Sequence, residues 1–172
     1  MSTTNQSKSI TTRSGFLFRV RPVQPTDQPA LAEFFKHVTP EDLRFRFLSS
    51  VKAVGAEQLF ALTHVDHHSS ENFIAFLDDE SEIIASAMLA CDSGLERGEV
   101  AISVRSDFRN EGIGWEMLAH VAAQAEAMGV KTLESIESRD NHAAIDLERD
   151  MGFTSTAYPG DNSLLLLQRK LG

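Results

Sequence analysis

Between Glu99 and Leu118 the chain changes its hydrophobic period within a few residues, and that change limits the folds open to it. Val100, Ile102 and Val104 alternate with Ala101 and Ser103 in a strand pattern, whereas from Ile113 the apolar residues Met117, Leu118, Val121, Ala122 and Ala125 recur at helical spacing. Arg109-Asn110-Glu111-Gly112-Ile113-Gly114 lies between the two periods. Glycines at a strand-to-helix joint let the backbone turn tightly and bring several amides to bear on one anion. The helix start behind them adds unpaired N–H groups and partial positive charge. Arg109 supplies a planar cationic fork suited to phosphate, so the stretch reads as a pyrophosphate site. It is not a Walker loop, which needs Gly-Lys-Ser/Thr, and it lacks the first glycine of the dinucleotide fingerprint.

Two motifs give this stretch a family likeness. Arg109 to Gly114 matches R-x-x-G-x-G, with the V-x-x-x-x-R strand end present as Val104 to Arg109, and Asn141 to Phe153 matches N-x-x-A-x-x-L-x-x-x-x-G-F. Together they resemble the acetyl-CoA loop and the following helix of the GNAT N-acetyltransferases. Three looser phrases, R-P-V-Q-P-x-D from Arg21, T-P-E-D-L-R-x-R-F from Thr39 and L-T-H-V-D from Leu62, resemble the acetyltransferase domain of bacterial Pat-type protein lysine acetyltransferases. That domain is often fused to others. No fused domain is read in these 172 residues.

Bulk properties narrow the partners. The length suits one domain with a genuine core, and a net charge of −9 leaves no basic surplus for nucleic acid. An acidic surface suits a cationic amine. One cysteine, Cys91, excludes an intrachain disulfide and a multi-cysteine metal site, and its place after the apolar run Ile83–Ala90 reads as a small hydrophobe. The N-terminal residues are polar without a signal-peptide core, and no apolar run approaches a membrane span, so a cytoplasmic protein with no membrane partner is expected. Residues 1–14 are expected as a flexible tail and 15–172 as the single acetyltransferase domain.

Taken in order, Phe16–Arg21 reads as a strand stopped by Pro22, followed by helices capped near Thr26 or Asp27, opened by Pro40 and running from Gly55 to Val65. Asn72–Leu77 and Glu82–Cys91 read as a hairpin about Asp78–Ser81 leading into Glu99–Val104. A helix over Ile113–Met128 stopped by Gly129 and a strand over Lys131–Ile136 then imply a parallel pair. A helix over Asn141–Met151 and a hairpin from Phe153–Tyr158 to Ser163–Arg169 complete the order. The resemblance makes this an α+β, three-layer GNAT fold: a mixed, mostly antiparallel sheet of about seven strands, helices on both faces, and a splayed parallel pair.

The same resemblance assigns the site. Backbone groups around Ile102, Ser103 and Val104 would pair with the pantetheine amides of acetyl-CoA, and Arg109, Asn110, Glu111, Gly112, Ile113 and Gly114 would hold the pyrophosphate. An amide near Val104 would polarise the thioester carbonyl. Asn141 would touch the cofactor, cap its helix, or both. Glu99 would act as base for an amine that is mostly protonated at neutral pH, the bland alternative being an exposed strand-end carboxylate. Many of the family use a tyrosine at the position matching Glu148 to protonate the departing thiolate. An ionised Glu148 would repel that sulfur, a protonated one could donate, and the one tyrosine, Tyr158, lies beyond the motif.

With no cysteine beside the loop, direct attack in a ternary complex is expected. His64-Val65-Asp66-His67-His68 does not complete a metal shell, so no metal is expected; in the family this loop can border the acceptor, which makes Asp66 an acceptor contact. Arg44 and Arg46 alternate with Phe45 and Phe47 and could meet a partner, but on a helix Leu43, Phe47 and Leu48 are expected to face the core. The acceptor is expected to be a protein lysine, with a small amine or a silent acetyl-CoA-binding module as alternatives. Trp115 and Leu164–Leu167 offer surface for a homodimer, although a buried last strand accounts for the leucines equally.

Overall fold

The two periods around the glycine turn become strand β5 (Arg97–Val104) and helix α4 (Ile113–Met128), joined by a 3-10 turn at Ser106–Phe108. The computed structural model describes residues 7–48, 53–77, 79 and 82–172. In chain order β5 is preceded by β1 (Lys8–Thr11), β2 (Leu17–Pro22), α1 (Gln28–Phe35), α2 (Pro40–Phe47), α3 (Ala56–Thr63), β3 (Ser70–Leu77) and β4 (Ile83–Cys91). After α4 come β6 (Thr132–Ser138), α5 (His142–Asp150), β7 (Thr154–Ala157) and β8 (Leu164–Lys170). The turn expected at Asp78–Ser81 lies, Asp79 apart, outside the described residues.

The strands form one sheet in the order β1-β2-β3-β4-β5-β6-β8-β7. All neighbours are antiparallel except β5 and β6. The sheet has eight strands rather than about seven because Lys8–Thr11, expected as part of a tail, pairs with Thr11 opposite Leu17 and Lys8 opposite Val20. An edge strand with one solvated face needs few apolar residues, so its polar sequence hides it.

Helices cover both faces. Met117, Leu118, Val121 and Ala125 of α4 bury against Phe18, Phe73, Leu89, Val100 and Leu133, while Leu31, Phe34, Leu43, Leu59 and Leu62 of the first three helices bury with Ile74, Phe76 and Ile83 on the other side. The Arg21-to-Asp27 motif is a structural staple. Arg21 donates to both Asp27 oxygens at 2.8 Å, and the Gln24 amide donates to the same carboxylate at 2.7 Å. It fixes the angle at which β2 enters the helical layer.

The feature that makes the site is a break in pairing. β5 and β6 are in register only at Arg97↔Thr132, Gly98↔Leu133 and Glu99↔Glu134. Beyond that, β5 continues to Val104 held by β4, and β6 continues to Ser138 held by β8. The sheet therefore opens as a V whose apex is Glu99. Gly98 allows the tight part of the V, since a Cβ there would lie 3.0 Å from Leu89 Cδ1, 3.2 Å from Cys91 Sγ and 3.3 Å from Val130 Cγ1.

Candidate active site

The open edges of β5 and β6 bound a cleft of about 380 Å3 floored by the start of α4 and flanked by α2 and α5. Of the residues expected to hold the cofactor, Ile102, Ser103, Val104, Arg109, Asn110, Gly112, Ile113, Gly114 and Asn141 all line it. Glu111 faces an adjoining recess of about 320 Å3, shared with Arg13, Ser14 and Trp115. Backbone donors and acceptors on the free edge of β5 have no strand opposite them after Glu99. A polar chain laid along that edge meets them as an added strand would.

The glycine loop has the backbone an anion site needs. Asn110 and Gly112 both adopt positive φ, 67° and 84°, on either side of Glu111, and α4 follows at once. Asn tolerates the left-handed region and Gly is unrestricted there. A segment the sequence reading set apart as tail supports this loop. Thr12 is buried against the Gly112 Cα, where an added Cβ would sit 3.4 Å from the Thr12 Cβ, and Ser14 Oγ donates to the Glu111 carbonyl at 3.4 Å. Arg13 lies over Trp115, 5.0 Å from the ring centroid. Arg109 approaches Asp42 of α2 at 3.6 Å and stays half-exposed, so its cation is restrained but not consumed.

Among the described residues, two buried side-chain oxygens of the cleft have no hydrogen-bond partner: Ser103 Oγ and Glu148 Oε1. A native core seldom leaves such atoms unpaired, and both line a cavity, so a ligand's polar groups are their natural complement. Acetyl-CoA fits this set, with an open strand edge for its amides, a left-handed loop and helix start for its phosphates, and an orphaned hydroxyl inside the slot.

Glu99 stands at the apex on the face towards α2. It is exposed and lies outside the residues that line the cleft, as an exposed strand-end carboxylate would be, yet partial desolvation and then Glu134, which it opposes across the parallel pair, push its carboxyl above the ordinary range. Arg46 of α2 opposes that rise, and Glu137 adds to it. Arg46 lines the cleft together with Asp42, four residues earlier on the same helical face. That i, i+4 spacing was legible, but the adjacent phenylalanines drew the reading towards packing. On the opposite face Ser135 Oγ donates to Glu137 at 2.7 Å, and Asn141 both caps α5, accepting from the Ala144 amide at 3.3 Å, and donates to Glu137 at 3.4 Å. Burial and the Glu137 carboxyl push Glu148 up to about 10.

Asp66 is not brought to the cleft. Its carboxylate accepts from the amides of His68, Ser69 and Ser70 within 2.9 Å and from Ser69 Oγ at 2.6 Å, which drives its acid far below the usual range and commits it to bracing its own loop. The acceptor contact expected of it finds no support in this placement. The neighbouring histidines are used locally, His67 Nδ1 lying 2.9 Å from Glu71 and His64 Nδ1 2.9 Å from the Phe60 carbonyl. Leu165 and Leu167 are buried, which favours the core explanation of the leucine run.

Known proteins share this architecture. The GNAT domain of S. lividans PAT superposes with a TM-score of 0.89 at 23% identity, over 96% of this chain and 97% of that one. A phosphinothricin acetyltransferase from Sinorhizobium meliloti, solved with AcCoA, does so at 0.72 and 17% identity, over 89% and 88%. In sequence the chain is 24% identical over 151 residues to Acetyltransferase PA5475 of Pseudomonas aeruginosa, covering 86% of this chain and 80% of that protein. The acetyltransferase (GNAT) family model matches residues 33–153, carrying both motifs and the forked strands, and the chain belongs to that family.

Proposed function

We propose that this protein transfers the acetyl group of acetyl-CoA to a primary amine, by direct attack in a ternary complex, with a protein lysine side chain as acceptor. The observation that carries the proposal is the fork, which ends strand pairing at Glu99 and leaves the edge of Val100–Val104 open beside the glycine loop. Rising roughly 3.3 Å per residue, β5 sets Glu99 about 16 Å from Val104, a span that lets one extended chain reach from the loop to the apex. Amides of Asn110–Gly114 hold the pyrophosphate, the β5 edge orients the pantetheine, and an amide near Val104 meets the carbonyl oxygen as charge builds there.

Glu99 takes a proton from the incoming ammonium so that a neutral nitrogen attacks. Its raised pKa makes it a better base than an ordinary carboxylate. Glu134 and Glu137 make the surroundings of Glu99 acidic, which suits a cationic amine. A lysine acceptor is supported by the likeness in fold to the PAT domain, 0.89 in TM-score against 0.72 for the enzyme named for a small molecule, and by the Arg21, Thr39 and Leu62 phrases, which resemble the Pat-type lysine acetyltransferases.

Initial rates with acetyl-CoA and lysine-containing peptides, set beside spermidine and free amino acids, test the acceptor class. Glu99→Gln is expected to lower kcat by roughly 10²-fold or more with acetyl-CoA affinity within twofold of wild type. An unchanged kcat would remove Glu99 as base, and wild-type protein that binds acetyl-CoA but acetylates none of these amines would make it a binding module instead.

A further inference from the structure

Glu148 is a buried acid that the amine half of the reaction does not use. It is 5% exposed, lines the cleft from α5, and presents Oε1 there without a partner. Its neighbour Glu137 is in the opposite condition, accepting from Ser135 Oγ at one oxygen and from Asn141 Nδ2 at the other. Two carboxyls in contact within a poorly solvated pocket do not both ionise. Glu137 accepts hydrogen bonds at both oxygens, whereas Glu148, in contact with Glu137 and Ser135, keeps Oε1 free towards the cleft. The Ser135–Glu137–Asn141 arrangement, with burial, therefore sets Glu148 up as a neutral carboxylic acid.

We propose that the Glu148 carboxylic acid donates its proton to the CoA sulfur as the thioester breaks. The inference rests on the acetyl-transfer reading above. Glu99 sits on the α2 face of the fork, whereas Ser135, Glu137 and Glu148 sit on the α5 face, so base and acid address the apex from opposite sides. The amine nitrogen forms its bond to the carbonyl carbon after losing a proton to Glu99. The C–S bond then breaks with its electron pair going to sulfur, and sulfur takes the Glu148 proton to leave as the thiol. Of the two protons the ammonium gives up in becoming an amide, one replaces that of Glu148 and the other leaves through Glu99 to solvent. A thiol ordinarily titrates near 8.5, and burial against Glu137 holds Glu148 protonated through that range. Among the described residues, Glu137 and Ser135 of β6 are the polar groups that act on Glu148, and Arg46 of α2 acts on Glu137.

Steady-state kinetics of wild type, Glu148→Gln and Glu148→Tyr across pH test the assignment, with acetyl-CoA and the acceptor found active above. The expected result is a kcat lowered by roughly 10²-fold in Glu148→Gln with acetyl-CoA affinity within twofold, loss of the alkaline fall in kcat, and recovery of about tenfold in Glu148→Tyr, whose phenol donates. A Glu148→Gln kcat within threefold of wild type, with its alkaline limb unchanged, overturns it. Infrared spectroscopy of wild type needs neither a variant nor an acceptor. A protonated carboxyl band that persists at pH 8 and shifts when CoA is added supports the assignment, and absence of the band at that pH overturns it. Should that band respond to CoA while no amine is acetylated, the carboxyl–sulfur contact stands and the transfer reading alone falls.

Discussion

At Gly98 a methyl group is already too large. The three atoms that crowd its missing Cβ come from Leu89 and Cys91 of β4 and from Val130, two residues ahead of β6, so none is the free end of a long surface chain. Gly98→Ala is expected to cost about 1–3 kcal/mol in urea unfolding and to weaken acetyl transfer, because the next residue is Glu99 and any widening displaces it. Glu148 predicts the reverse coupling. Its folded pKa of about 10 lies above its unfolded value of 4.5, so the folded protein binds a proton that the unfolded chain does not across that interval. The buried acid is best tolerated below pH 4.5 and loses stability as pH rises towards 10. Glu148→Gln is expected to gain stability on the order of 1–2 kcal/mol at pH 8 and little at pH 5, by urea midpoint at each pH, while losing activity. A site residue that improves the fold when removed is a residue kept for chemistry.

The glycine loop behaves as one element with the arm beneath it. β1 zips to β2, Thr12 fills the space under Gly112, its backbone closes a turn to Phe16, and Ser14 reaches the Glu111 carbonyl. The loop holds Asn110 and Gly112 in left-handed conformations that need surrounding contacts to persist. Removal of residues 1–14 takes away the edge strand β1 and is therefore expected to leave β2–β8 and their core in place but to weaken acetyl-CoA binding by about tenfold. Calorimetric titration of the truncated protein measures this, and faster amide exchange at Asn110–Gly112 is its expected companion. Full affinity in the truncated protein would show that α4 and β5 hold the loop unaided. The arm escaped the sequence reading for a local reason: a four-residue strand with a solvated face carries no apolar run. The remaining strands, β7 apart, and α4 were legible to within one or two residues because each buries a face, which imposes a period of 2 or 3.6 on its apolar residues.

Two buried titratable groups act oppositely on the molecule as a whole. His120 of α4 stacks edge-on to Phe73 of β3, and burial, with Lys8 of β1 adding repulsion, lowers it to about 4. The unfolded chain protonates this histidine below about 6.5 and the folded chain resists until about 4, so its contribution is lost as pH falls through that interval. Glu148 loses stability in the other direction from 4.5 upwards. Between pH 4.5 and 6.5 the two slopes cancel, and above 6.5 Glu148 acts alone while the acidic surplus of the chain grows. The expected stability profile is a plateau over pH 4.5–6.5 with a decline above it, measured by urea midpoints at pH 5, 6.5 and 8.5. His120→Phe is expected to leave the alkaline decline unchanged and to turn the plateau into a slope that falls with rising pH.

The sequence by itself determined the element order from β2 onward, the glycine turn between strand and helix, and nearly all of the residues it expected for the cofactor that line the cleft, because each depends on neighbours within a few positions along the chain. The tertiary structure alone decided where the sheet forks, which places Glu99 at an apex and leaves the edge of Val100–Val104 that faces β6 open. It also joined Arg46, Glu99 and Glu137 from three elements, paired Glu137 with Glu148, and withdrew Asp66 into its own loop. Burial and charge–charge contact act through space between residues dozens of positions apart, and no local period records them.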